Sequence, residues 1–282
     1  MKYIGIKKMA LAMLTTVTVG VTFSFPVQAA QSTEVGYEQM VSVDADEELL
    51  IAKEQMRKLE ISETYTMEKK SVKTAKQSNF QYLCYRPEAS KEEAKPLIVY
   101  LHGKDGCGSN LDRLLQIESI PSYIEKGLVY PDAVVISPQC PSGSNWVVLA
   151  DDVMSLIQTV IEEENIDETR ISLTGCSLGG IGTYRIAIKN PDYFSAVVPV
   201  CGSVNAADCK VLTNTQVRIF HGTLDYGMGF SSKTAAQVIQ DNGGSCELVM
   251  LEGEGHEIRH VYYDEEYDLL NWMAKQQRAN AE

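Results

Sequence analysis

Six short runs in this 282-residue chain are apolar at almost every position: Pro96–Leu101, Ala133–Ser137, Arg170–Thr174, Ala196–Val200, Val217–Phe220 and Glu247–Leu251. A strand with one wet face alternates apolar and polar residues. A strand that is apolar throughout must be covered on both faces, which is how parallel sheets read in sequence. Helical stretches separate the runs, at 147–164, 178–189, 232–241 and 265–277; the first sets Val148, Val153, Leu156, Ile157 and Val160 on one side. Two further strands, Thr64–Lys73 and Phe80–Tyr85, precede them and read as an antiparallel pair. Alternating strands and helices imply right-handed crossovers. The expectation is an α/β fold: a mostly parallel central sheet flanked by helices, as one domain over 64–282.

The first thirty residues stand apart. Lys2, Lys7 and Lys8 precede an uncharged apolar stretch at 9–25, then Pro26 and the small-residue exit Val27-Gln28-Ala29. This is the pattern of a signal peptide over 1–29, with an uncleaved anchor helix as the alternative. A secreted protein is expected, without stable membrane association after cleavage. Residues 30–63 form an acidic lead-in with one helical stretch around Glu47–Leu59. The net charge of −13 argues against a nucleic-acid partner, because phosphate binding needs a basic surface. Seven cysteines are an odd count, so at least one thiol stays free or pairs between chains. Cys201 with Cys209 and Cys107 with Cys140 are the pairs that could be bridged. No C-x-x-C and no zinc-spaced His/Cys cluster occurs, so no metal is expected.

The chemistry centres on Gly175-Cys176-Ser177-Leu178-Gly179, which follows one apolar run directly and opens a helical stretch. A G-x-S-x-G turn in that context forces the serine out above the sheet edge and makes Ser177 the candidate nucleophile. Cys176 is the competing nucleophile, but one position before the centre of the turn its side chain should point into packing. A nucleophilic serine needs a base, and only His102, His221, His256 and His260 are available. In the chain order Ser, acid, His, His102 comes too early; it reads as a residue holding the loop that follows its strand. His221 stands before the acid and reads as ordering that turn. His256, in Gly253-Glu254-Gly255-His256, follows the last strand and is favoured over its rival His260. Asp225, in His221-Gly222-Thr223-Leu224-Asp225, is the acid that would fix the imidazole tautomer. The oxyanion would be met by the backbone N–H of Leu178 and, from the loop Gly103-Lys104-Asp105-Gly106, that of Lys104.

Taken together, these stretches resemble the α/β-hydrolase esterases of the polyhydroxybutyrate-depolymerase and feruloyl-esterase type, whose relatives are often labelled predicted peptidases. The matching segments are Pro96–Gly103, Ser137–Pro141 with Trp146, Arg170–Gly182, Pro191–Phe194, Val198–Gly202, His221–Asp225 and Gly255-His256, spanning about residues 80–275. Residue by residue, the resemblance implies Ser177 as nucleophile, His256 as base, Asp225 as acid, and acyl transfer through an acyl-enzyme without cofactor or metal. The loop Lys104-Asp105-Gly106 departs from the Gly/Ala-rich form common in that family. The implied substrate is a small or polysaccharide-linked ester of feruloyl or acetyl type. A peptidase with the same triad, or a non-catalytic binding protein on the same scaffold, are the alternatives. In this fold a lid is often inserted before the strand that carries the acid. Here that connection, Gly202 to Gln216, is too short for a helical cap domain, so an open cleft is expected. Its rim would be Trp146, Tyr226, Met228 and Phe230, with a role as core filler the competing reading for each.

Overall fold

The computed structural model describes residues 65–87, 93–226 and 229–278. The expected leader, the acidic lead-in and its helical stretch lie outside the described residues. The strands are β1 (Tyr65–Val72), β2 (Phe80–Pro87), β3 (Lys95–Leu101), β4 (Val134–Pro138), β5 (Ile166–Cys176), β6 (Ala196–Val200), β7 (Gln216–Gly222) and β8 (Cys246–Leu251). They form one sheet in the order β1-β2-β4-β3-β5-β6-β7-β8. β1 and β2 run antiparallel, as does β2 against β4; every pairing from β4 to β8 is parallel.

The helices are α1 (Asp112–Gln116), α2 (Ile120–Glu125), α3 (Ala150–Glu163), α4 (Leu178–Lys189), α5 (Gly229–Asp241) and α6 (Leu269–Lys275). They cover both faces of the sheet, which is why runs such as 96–101 and 196–200 carry no charged residue. Along β3, Leu97, Val99 and Leu101 enter one core with Leu156 and Ile157 of α3 and Ile186 of α4. Ile98 and Tyr100 enter the other with Ile124 of α2 and Leu270 and Met273 of α6. Alternate residues of a strand point to opposite faces, so each face recruits its own helices. Truncating one of these buried aliphatics to alanine would cost roughly 2–5 kcal/mol.

Some boundaries differ from the sequence expectation. β5 begins four residues before Arg170, because Asp167, Glu168 and Thr169 are polar and at least part-exposed and hide the strand pattern. α1 and α2, between β3 and β4, were not expected. Five and six residues are too few to show a helical period, and α2 is set by a local device instead. Ser119 Oγ accepts from the Ser122 N–H while Ser122 Oγ accepts from the Ser119 N–H, with Pro121 in the first turn.

All seven cysteines are free thiols, so neither Cys201–Cys209 nor Cys107–Cys140 is bridged here. The connector from Gly202 to Gln216 contains a single 3-10 turn, Ala206–Val211, and sends Cys209 and Leu212 into the core. This connector builds no cap. Among the described residues, no helix is long and apolar enough to cross a membrane.

Candidate active site

β5 ends at Cys176 and α4 begins at Leu178, so Ser177 alone makes the turn between them. Its backbone sits at φ 57°, ψ −115°, a conformation costly for a residue with a Cβ, of order 1–3 kcal/mol. The surroundings enforce it. Ser177 N–H donates to Val200 O at 2.9 Å, and the start of α4 lies main chain to main chain against the end of β3. A Cβ on Gly179 would overlap the carbonyl oxygen of Leu101 and stand 2.6 Å from its carbon, so only glycine fits. Cys176 is fully buried, and burial pushes its thiol up to about 11. It packs inward, as its place before the centre of the turn implied.

Ser177 Oγ lies 2.8 Å from His256 Nε2, and His256 Nδ1 lies 2.7 Å from Asp225 Oδ2. A carboxylate only accepts, so Nδ1 carries the proton and Nε2 is left to accept from the serine hydroxyl. The structure thus joins Ser177, His256 and Asp225 in one chain of hydrogen bonds. The His256 ring is one-third exposed. His260 sits one turn further on, in the 3-10 turn Arg259–Tyr262, and it is His256 that meets Ser177.

The loops after β7 and β8 are stitched to each other. Leu224 N–H donates to Glu254 O at 2.8 Å, Thr223 N–H to Leu251 O at 3.0 Å, and Gly253 N–H to Thr223 Oγ1 at 2.9 Å. A Cβ on Gly222 would overlap the carbonyl oxygen of Gly255, so the two backbones touch there. Asp225 Oδ2 also accepts from His221 Nε2 at 2.9 Å, and His221 Nδ1 lies 2.9 Å from Ser232 Oγ. The buried His221 therefore shares the Asp225 Oδ2 oxygen with His256, and its pKa is lowered chiefly by burial.

The loop after β3 turns through a 3-10 segment, Lys104–Gly106. Lys104 opens that turn and Leu178 opens α4, and the N–H of a first helical residue has no partner inside its helix. Beneath the loop, His102 is fully buried. Its Nε2 accepts from Cys140 N–H at 3.0 Å, so Nδ1–H donates to Gly103 O at 2.6 Å. Burial holds its pKa down to about 4. Trp146 belongs to this support and corrects the expectation that it lines the cleft. Its side chain is 0% exposed, its Nε1–H donates to His102 O at 2.9 Å, and its ring meets the His102 ring edge-on at 5.0 Å. A tryptophan with a buried N–H must find a partner, and the strand-end carbonyl supplies it. Tyr226 and Phe230, by contrast, are 83% and 77% exposed beside Asp225. Met228 lies outside the described residues.

Two charged residues of the site escaped the sequence reading. Arg259 is buried, and its Nη1 donates to Asp105 Oδ2 at 2.8 Å and to Glu118 O at 3.3 Å. The available signals were an arginine set among Ile258, Val261 and Tyr262, and an aspartate beside Gly106 in the loop after β3. A buried charge implies a partner. Among the described residues, one set of side chains could offer ligands to a cation: Cys201, Asp225 and His256 place ligand atoms within 4.8 Å of one another. Asp225 and His256 are already bonded to each other and the Cys201 thiol is buried and raised in pKa, so that set is closed.

The sequence profile of the prolyl oligopeptidase family matches residues 143–213, the stretch that contains the Ser177 turn. The chain is 24% identical over 124 residues to NocK of Nocardia uniformis subsp. tsuyamanensis, named as an esterase; the match covers 42% of this chain and 36% of that protein. It is 26% identical over 132 residues to feruloyl esterase B of Thermothelomyces thermophilus, covering 42% of this chain and 43% of the relative. The chain therefore spans less than half the length of either. A crystal structure of a thermostable esterase superposes with a TM-score of 0.66 at 22% identity, covering 77% of this chain and 64% of the other, a likeness of fold. With a parallel sheet of this strand order, a strained serine between β5 and α4 and these likenesses, the chain has the α/β-hydrolase fold, and esterases are among the proteins it is similar to.

Proposed function

We propose that this protein is a secreted serine esterase that cleaves small or polysaccharide-linked carboxylic esters. The observation that carries the reading is the unbroken relay from Ser177 Oγ to His256 at 2.8 Å and from His256 to Asp225 at 2.7 Å. His256 Nε2 takes the hydroxyl proton as Ser177 Oγ attacks the ester carbonyl. Asp225, steadied by His221, stabilises the imidazolium that forms. The N–H groups of Leu178 and Lys104 receive the oxyanion, Leu178 with the positive end of α4 behind it. His256 then returns its proton to the leaving alcohol, and water repeats the sequence on the acyl-enzyme.

The exposed rings of Tyr226 and Phe230 offer a surface on which a flat acyl or sugar group can stack. The likeness to feruloyl esterase B supports a feruloyl or acetyl ester over a lipid, and the short Gly202–Gln216 connector supports turnover of soluble esters without interfacial activation. The prolyl oligopeptidase profile over the Ser177 turn supports a second reading, a peptidase using the same triad.

One set of assays tests both. Wild type and Ser177→Ala are compared on short aryl esters, feruloylated and acetylated glycans, and amides matched to the esters, with fluorophosphonate labelling alongside. Ester turnover should exceed amide turnover, and Ser177→Ala should lose label and roughly 10⁴- to 10⁶-fold in kcat. Retention of activity in Ser177→Ala would overturn the assignment, and dominant amide turnover would favour the peptidase. Export is tested by sequencing the N-terminus of the protein recovered outside the cell, expected near residue 30, with the domain over 64–282 following the lead-in.

A further inference from the structure

We infer that Arg259 is a positioning residue for the oxyanion loop: its ion pair with Asp105 holds the Lys104 N–H in register with Ser177 and His256. The inference rests on the serine-hydrolase reading above. The Arg259 side chain is only 8% exposed, so it is held inside the protein rather than offered to a substrate. Its guanidinium reaches four segments. Asp105 lies in the 3-10 turn that Lys104 opens, and Glu118 O lies in the link between α1 and α2. Glu257, 3.2 Å away, adjoins His256, and the guanidinium charge acts on the buried Cys176 thiol, in the residue before Ser177. A methyl group on Gly103 would sit 3.3 Å from Arg259 Nη2, so the guanidinium also lies against the start of the loop. One planar fork thus fixes the oxyanion loop, the serine turn and the base loop relative to one another. An ammonium on a flexible stem presents no such fork.

The tie has a partner on the far side. Arg113 Nε donates to the Asp105 carbonyl, so the turn is gripped by its side chain from within and by its main chain from the surface. An oxyanion donor contributes only when aimed at the place where charge develops, and losing one costs about 10²- to 10³-fold in rate. Without Arg259 the Asp105 carboxylate, which already has access to water, would turn outward and carry the loop with it.

The test is a double-mutant cycle on the full-length protein with Arg259→Gln, Asp105→Asn and the double variant. Rates are expressed per serine titrated by fluorophosphonate, so that loss of folded protein does not count. Each single variant should lower kcat about 10- to 100-fold with KM within about 3-fold. The double variant should be no worse than the poorer single, because both remove the same tie. Arg259→Lys should recover less than half of the lost kcat on a logarithmic scale. Unchanged kcat per titrated site, or losses that add in the double variant, would overturn the inference. Should Arg259→Gln fail to fold, Asp105→Asn alone decides by the same kcat criterion. Failure of the underlying reading looks different: the wild type would take no label, or Ser177→Ala would match its activity.

Discussion

The two halves of the site are built on opposite principles. Ser177 rides on β5, flanked by β3 and β6 and buried along its last six residues. Its placement is steric: a forced backbone, a glycine with no room for a methyl, and main-chain atoms in contact. Asp225 and His256 ride on β7 and β8, toward the edge of the sheet, and β8 is paired on one side and half-buried. Their placement is polar, a set of hydrogen bonds between two loops with His221 behind the acid. The difference teaches where each half is fragile. Adding volume damages the central half, and removing a hydrogen bond damages the edge half.

The sharpest way to break this contrast is at Gly179. Gly179→Ala forces a methyl into the Leu101 carbonyl and should cost roughly 4 kcal/mol or more, leaving little folded protein. A soluble variant with wild-type Tm would show that the central half is more compliant than its contacts imply. Next in size is His256→Ala, which should keep the wild-type Tm within a few degrees and lose roughly 10⁴- to 10⁶-fold in kcat, while His260→Ala stays within a few-fold. Equal losses at both histidines would deny His256 its role.

His221→Gln removes a donor from Asp225 and should lower kcat about 10-fold, with about 1–3 kcal/mol of stability lost from the unpaired acceptor. An unchanged kcat with reduced stability would confine His221 to the fold. The remaining effect is graded rather than abrupt, a pH dependence. His102 is held neutral, with a pKa of about 4 against an ordinary 6.5, so the unfolded chain binds more protons between those values. Stability should therefore fall as pH drops from about 6.5 to 4, by about 3 kcal/mol from this group, with His221 adding in the same direction. Urea unfolding at several pH values measures it, and His102→Gln should flatten the slope.

Much of the fold was legible because a buried parallel strand announces itself in any chain: six apolar runs became β3 to β8. The antiparallel pair and four helices followed. What stayed hidden was whatever lacked a period. Residues 166–169 join β5 through polar side chains, and α1 and α2 are too short to repeat. The Ser177 turn between β5 and α4 was legible as a turn because its tightness demands fixed residue types, and the sequence order singled out Asp225 and His256 as the candidates that the fold brings within hydrogen-bond reach of it. Trp146 was misplaced at the rim because sequence cannot tell an aromatic ring that faces water from one seated on a strand-end carbonyl. Arg259 and Asp105 are 154 residues apart, and only the fold brings them together.

The contact between α4 and the end of β3 has a consequence for how such a protein can change over generations. At Gly179 the spacing between the nucleophile turn and the oxyanion loop is set by main-chain atoms touching main-chain atoms. Side chains elsewhere in the two cores can drift, exchanging one aliphatic for another and shifting helices slightly, without moving that spacing. The scaffold is insulated from its own core. Sequence can then diverge while this spacing stays fixed, and the fold itself is shared with the thermostable esterase at 22% identity.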